Sequence, residues 1–247
     1  MGCALLLGTA LALALPVPVP VPAMQSWVTQ ASAGLDARAV SALALINGPC
    51  RQLLAVRAYL RAGQSLDERW SWNQDRIAAY PSSPEGKAAA ADIDAVTTAF
   101  AAANTGFTLR VNRMPRSLEL QLARWNGNAA VGRVADALAR ALEQRFGASA
   151  ARPDTAALRR ALMEWTPDIA APLAAPGLSA HGQGRAFDFQ IEHQGRVIAG
   201  IVSASAHRQW DAAGWTRRLH AAVVAAGNRF SGPLASPYEP WHYAYAP

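Results

Sequence analysis

Cysteine is nearly absent from this chain. Only Cys3 and Cys50 occur in 247 residues, which excludes a disulfide framework and any zinc site built from cysteine. Cys50 follows Pro49 in a helical neighbourhood and reads as a buried, inert thiol. Long apolar runs are scarce as well: the stretch from Ala4 to Leu15 is too short to span a bilayer comfortably. There is no Gly-rich phosphate loop and no internal repeat, and no basic cluster interleaved with aromatics. The last of these absences argues against nucleic acid as a partner.

What is present begins with length. A chain of this size is one large domain or a smaller domain with an appendage. Alanine is very abundant and favours helix. The formal net charge is +6, carried by Arg far more than Lys and spread thinly; such a balance reads first as Arg standing in for Lys, and otherwise as suiting an anionic surface such as a cell-wall polymer or membrane headgroups. The apolar run is followed by the Pro-Val repeat of residues 16–22 and then Ala23. Residues 1–24 therefore read as an export signal, cleaved near Val21-Pro22-Ala23, or as an atypical anchor lacking the usual basic start.

Residues 25–65 carry helical spacing, with Leu43, Leu45 and Ile46 followed by Leu53, Leu54, Val56, Tyr59 and Leu60. Gly48-Pro49 splits them into two helices. Trp70 and Trp72 line a groove or pack inward, and residues 80–86 read as a loop or linker. A helix is expected over 88–103, stopped by Asn104-Thr105-Gly106, then a strand over Phe107–Val111. Further helices are expected over 118–125, 131–146 and 157–165. A hairpin follows, from Ala186 to Ile191 and from Arg196 to Val202, turning at His193-Gln194-Gly195. A helix over 211–226 and a last short strand at Tyr243-Ala-Tyr245 complete the chain. The expected fold is α+β, a small antiparallel sheet with flanking helices over 101–247, preceded by a helical segment over 25–100.

Two stretches carry the chemistry. Ser179-Ala-His-Gly-Gln-Gly-Arg-Ala-Phe-Asp188 offers His181 and Asp188, and Glu239-Pro-Trp-His242 offers a second carboxylate and a second histidine. Gly182 and Gly184 permit the close backbone path that brings His181 and Asp188 to one point. Asp188 alternates with Phe187 and Phe189, so it faces away from two core aromatics. Glu239 and His242, three apart, can address the same metal. Two histidines and one carboxylate make three ligands with an open position, the layout of a catalytic site. The remaining carboxylate can accept a proton from water at the metal.

Taken jointly, Ser-x-His-x-x-Gly-x-Ala-x-Asp followed by Glu-Pro-Trp-His-aromatic resembles the VanY-like D-alanyl-D-alanine carboxypeptidase family of zinc peptidases. The resemblance spans roughly residues 104–247 and implies the fold shared by D-Ala-D-Ala peptidases and the hedgehog domain. It implies one zinc ion held by His181, Asp188 and His242, with Glu239 as catalytic base. An upstream Arg-Ser-x-x-x-Gln element matches Arg116, Ser117 and Gln121 and implies Arg116 as the oxyanion-stabilising group. Asn112-Arg113-Met114-Pro115 replaces the family's usual preceding Ser-Gly-Tyr, which leaves Arg113 or Arg110 as substitutes for that role. Ser179 and Gln121 are expected to bind substrate. The expected activity is hydrolysis of peptidoglycan stem peptides by an exported, periplasmic or envelope-associated enzyme. The alternatives are an endopeptidase of the same fold and a non-catalytic, zinc-dependent cell-wall binding module.

Overall fold

Apolar residues three and four apart fold most of this chain into helices, and the computed structural model describes residues 21–147, 153–227 and 229–247. Residues 1–20 of the expected export segment lie outside that set. Helix α1 (Val21–Ser32) starts inside the expected cleavage tripeptide, and Met24 and Trp27 on it are buried. Helices α2 (Ala37–Ala44) and α3 (Pro49–Ala62) follow, the second beginning at Pro49 as expected. Two short helices, α4 (Leu66–Arg69) and α5 (Gln74–Ala79), flank the tryptophan pair. The loop or linker expected at 80–86 is a tight 3-10 turn, Tyr80–Ser82, that ends at Ser83 and runs straight into α6 (Pro84–Ala103). Ser83 caps that helix through its hydroxyl to the Gly86 N–H, and Pro84 suits the first helical turn because its missing N–H is not needed there.

Beyond β1 (Phe107–Val111) come α7 (Leu118–Gly127), α8 (Ala129–Phe146) and α9 (Thr155–Glu164). The rest of the sheet is β2 (Ala186–His193), β3 (Arg196–Ala199), β4 (Phe230–Ser231) and β5 (His242–Tyr245). A helix, α10 (Trp215–Ala226), separates β3 from β4. The sheet is antiparallel throughout, in the order β1-β2-β5-β4, with β3 also pairing with β2. The protein is thus α+β, a small antiparallel sheet flanked by helices. Among the described residues no helix is long and apolar enough to cross a membrane.

Two apolar cores organise these elements. The first is helical: Trp27, Leu53, Leu138, Leu142, Leu158 and Leu162 meet where α3 packs on α1, α8 and α9. The second fills one face of the sheet, where Phe187, Phe189, Ile191 and Tyr243 meet Ile93, Val96 and Phe100 of α6 and Leu219 and Val223 of α10. Each such aromatic or aliphatic side chain contributes roughly 1.5–3 kcal/mol by leaving water. The cores do not divide at residue 100. Helix α6 belongs with the sheet, while α8 and α9 belong with the N-terminal helices. Strand alternation does the rest: with Phe187 and Phe189 inward, Asp188 faces the opposite side.

Candidate metal centre

Asp188 and His242 are direct cross-strand partners in the β2–β5 pairing, so the sheet register alone makes them neighbours. His181 arrives from the 3-10 turn Ala180–Gln183, which Gly184 ends in the left-handed conformation at φ 63°. The Nδ1 of His242 lies 3.0 Å from Asp188 Oδ1 and 3.2 Å from His181 Nε2. His181 Nε2 is 3.4 Å from Asp188 Oδ1. Three ligand atoms thus converge on one point. Ligands held at about 2.0–2.2 Å in a tetrahedron around a metal sit about 3.3–3.5 Å apart, so the spacing fits a small divalent cation. The group can hold a metal ion.

The electrostatics agree with that use. Burial opposes the charge on Asp188, but hydrogen bonds from His181 and His242 outweigh it and hold the carboxyl well below the usual carboxylate range. Burial pushes the His181 imidazole down, against the pull of Asp188, favouring the neutral form that a metal needs. Glu239 stands beside them, Oε2 at 3.8 Å from His242 Nδ1. Burial pushes its carboxyl up to about 6, with the nearby Asp188 charge adding to the shift and His242 and Arg116 opposing it.

Arg116 reaches the same point, its Nη2 3.2 Å from Asp188 Oδ2. It sits at the start of α7, where Ser117 caps the helix by accepting from the Leu120 N–H. The Arg116 N–H donates to the His181 carbonyl at 2.8 Å, tying the arginine to the turn that carries His181. Neither substitute arginine lines the cleft: Arg113 pairs with Asp94 at the surface, and Arg110 is exposed on β1 opposite Gln190.

Ser179 lies on the wall of the cleft that contains these groups. Gln121, expected to bind substrate, does not reach it. Its buried amide donates to Ser71 Oγ and the Arg116 carbonyl and accepts from the Gly177 N–H. Gln121 therefore braces the loops behind the centre. The tryptophan pair braces the same turn: the Trp72 N–H donates to the Gly182 carbonyl, and Gln183 Nε2 donates to the Trp70 carbonyl. Trp70 is buried and Trp72 half-buried, and both also line a groove, with Arg38 and Arg76 stacked over their rings. Packing and groove lining hold together.

The cleft encloses about 430 Å³. Its walls add Pro172, Leu173, Ile201, Leu234, Pro237 and Trp241 to the polar centre. Arg124, one helical turn beyond Gln121 on α7, also lines it and was not singled out by sequence reasoning. Only its spacing from Gln121 hinted at a shared neighbourhood. Among the described residues Arg124 has no anionic partner, while Arg116 has Asp188. Comparison with protein-family models, with curated proteins and with solved structures finds no match to this chain.

Proposed function

We propose that the protein is a zinc metallopeptidase acting on the stem peptides of peptidoglycan, in the manner of a D-alanyl-D-alanine carboxypeptidase. One observation carries the reading: a half-buried carboxylate, Glu239, 3.8 Å from His242 and beside two imidazoles and an aspartate converging on one point. A pure metal-binding module has no use for that extra base. His181, Asp188 and His242 would hold the ion. Zinc held by three such side chains with one open position acts as a Lewis acid and lowers the pKa of water to about 7.

The chain's own residues do the remaining work. Glu239 takes the proton from the attacking water and delivers it to the leaving amine, the work of a carboxylate positioned beside the reacting groups. Arg116 stands against Asp188 with its guanidinium already fixed, ready to stabilise negative charge as the carbonyl becomes tetrahedral. Small and apolar walls, among them Ala171, Ala174 and Ala180, suit a peptide with small side chains. Arg124 gives the cleft a second positive charge, which favours a free chain-end carboxylate and hence removal of a C-terminal residue over an internal cut.

The test is incubation of the zinc-loaded protein with purified muropeptides, read by mass spectrometry. The expected product has lost one alanine. Opening of a crosslink would instead make it an endopeptidase, and no cleavage of any muropeptide would overturn the reading.

A further inference from the structure

Glu239 is held in an unusual way for a base. Among the described residues its carboxylate accepts no hydrogen bond, and His242 Nδ1 stands 3.8 Å from its Oε2. No hydrogen bond on the side chain itself fixes its position. The backbone must do so, through the Glu239 N–H to the Leu234 carbonyl at 2.9 Å and whatever anchors the flanking residues.

Both flanks are anchored by one element. Residues His207–Asp211 form a π-helical turn, closed by the Ala212 N–H to the His207 carbonyl at 2.9 Å. Such turns are rare and concentrate at functional sites. Asp211 at its end accepts from the Tyr238 hydroxyl at 2.5 Å and from the Thr216 hydroxyl at 2.6 Å, both on Oδ1. Its Oδ2 meets His207 Nδ1 at 2.8 Å, and the His207 ring stacks on Tyr238 at 5.1 Å, nearly parallel. Trp210, in the same turn, is fully buried. It packs on Trp241 at 6.0 Å and donates to the Gly200 carbonyl at 2.8 Å. Tyr238 precedes Glu239 by one residue and Trp241 follows it by two. None of His207, Trp210, Asp211 and Thr216 lines the cleft.

We propose that this π-helical turn is a clamp that positions Glu239, gripping the chain before it through Asp211–Tyr238 and after it through Trp210–Trp241. The residues act through Glu239 and touch no substrate. The proposal rests on Glu239 being the base, as read above. A misplacement of the order of an ångström at a reacting group costs about a hundredfold in rate, so a clamp of this kind has much to protect.

Tyr238→Phe removes only the hydroxyl and keeps the ring on His207. The full chain, zinc-loaded, is measured for kcat and KM on an N-acylated D-Ala-D-Ala peptide, for zinc affinity, and for amide hydrogen exchange. The expected result is kcat down about tenfold or more with KM and zinc affinity within about twofold, the signature of a lost transition-state contact. The Glu239 amide exchanges faster while the Phe189 amide, bonded to the Trp241 carbonyl, keeps its rate. Thr216→Ala, which removes one bond to Asp211 and a neighbour of the Tyr238 hydroxyl but keeps the Tyr238–Asp211 bond, has a smaller effect on both. An unchanged Glu239 exchange rate in Tyr238→Phe overturns the clamp, as does a parallel loss of zinc affinity and kcat. Faster Glu239 exchange in a protein that cleaves no peptide leaves the clamp standing and overturns the peptidase reading instead.

Discussion

The ionisation of Glu239 sets what this site does with pH. Its carboxyl, raised by burial, binds its proton more tightly in the fold than in the unfolded chain. Its contribution to stability is therefore fully present below the unfolded value of about 4.3 and is lost as pH rises through about 6. Glu239→Gln removes that cost, and the metal-free variant is expected to be more stable than the parent at pH 7 by about 1 kcal/mol, after discounting for solvent screening. Denaturant unfolding of the two proteins at pH 5 and pH 7 checks it, the gap being wider at pH 7. In metal-free protein the Glu239 carboxyl carbon is expected to titrate near pH 6 by NMR. His181→Ala is expected to lower zinc affinity by about a hundredfold or more, since even groups that merely orient a ligand are worth 10–100-fold; equilibrium dialysis measures it. The three residues able to hold a metal were legible because their spacing forms a pattern in the sequence. Arg124, Asp211 and Tyr238 were not, because what brings them to the cleft or to Glu239 is the packing of separate elements. Gln121 lay within the recognised element, yet its burial and three internal hydrogen bonds, two of them to backbone, make it a brace.

At the scale of elements, periodicity located most helices and strands closely. The strand at Phe107–Val111 and the hairpin starting at Ala186 fall where alternation put them. Two readings failed for local reasons. Prolines in 80–86 suggested a loop or linker, but the turn stops at Ser83, because Pro84 sits at the start of α6, where proline is tolerated. The helix expected from Asp211 begins instead at Trp215, because Gly214 at φ 73° breaks the chain after the π-helical turn. The turn that carries His181 yields the sharpest test. A Cβ on Gly182 would stand 2.0 Å from Ser71 Oγ and 2.8 Å from Gln121 Nε2. Gly182→Ala is expected to push the turn off its braces, lowering stability by about 1–3 kcal/mol through overpacking. Zinc affinity should fall with it, so calorimetry of the loaded and metal-free variant reads both effects.

The molecule as a whole is knitted in a way that no local pattern announces. The α3 helix packs on α8 and α9, which lie many residues downstream, while α6, from the N-terminal half, covers the sheet. Helical spacing says that each helix has an apolar face and is silent on which partner covers it. A fragment of residues 101–247 would lose Ile93, Val96 and Phe100 from the sheet core and the Ser71–Trp72 brace from the metal turn. It is expected to be insoluble or unfolded by circular dichroism, while residues 21–247 fold. Arg124→Ala, at the mouth of the same cleft, is expected to raise KM about tenfold for a peptide ending in a free carboxylate and to leave its amide unchanged. The central claim is that Glu239 is the base of a zinc peptidase. It is tested most directly by mass spectrometry of muropeptides incubated with parent and Glu239→Gln proteins carrying the same zinc content. The account predicts loss of one alanine with the parent and intact peptide with the variant. Cleavage by the variant at the parent's rate would contradict it.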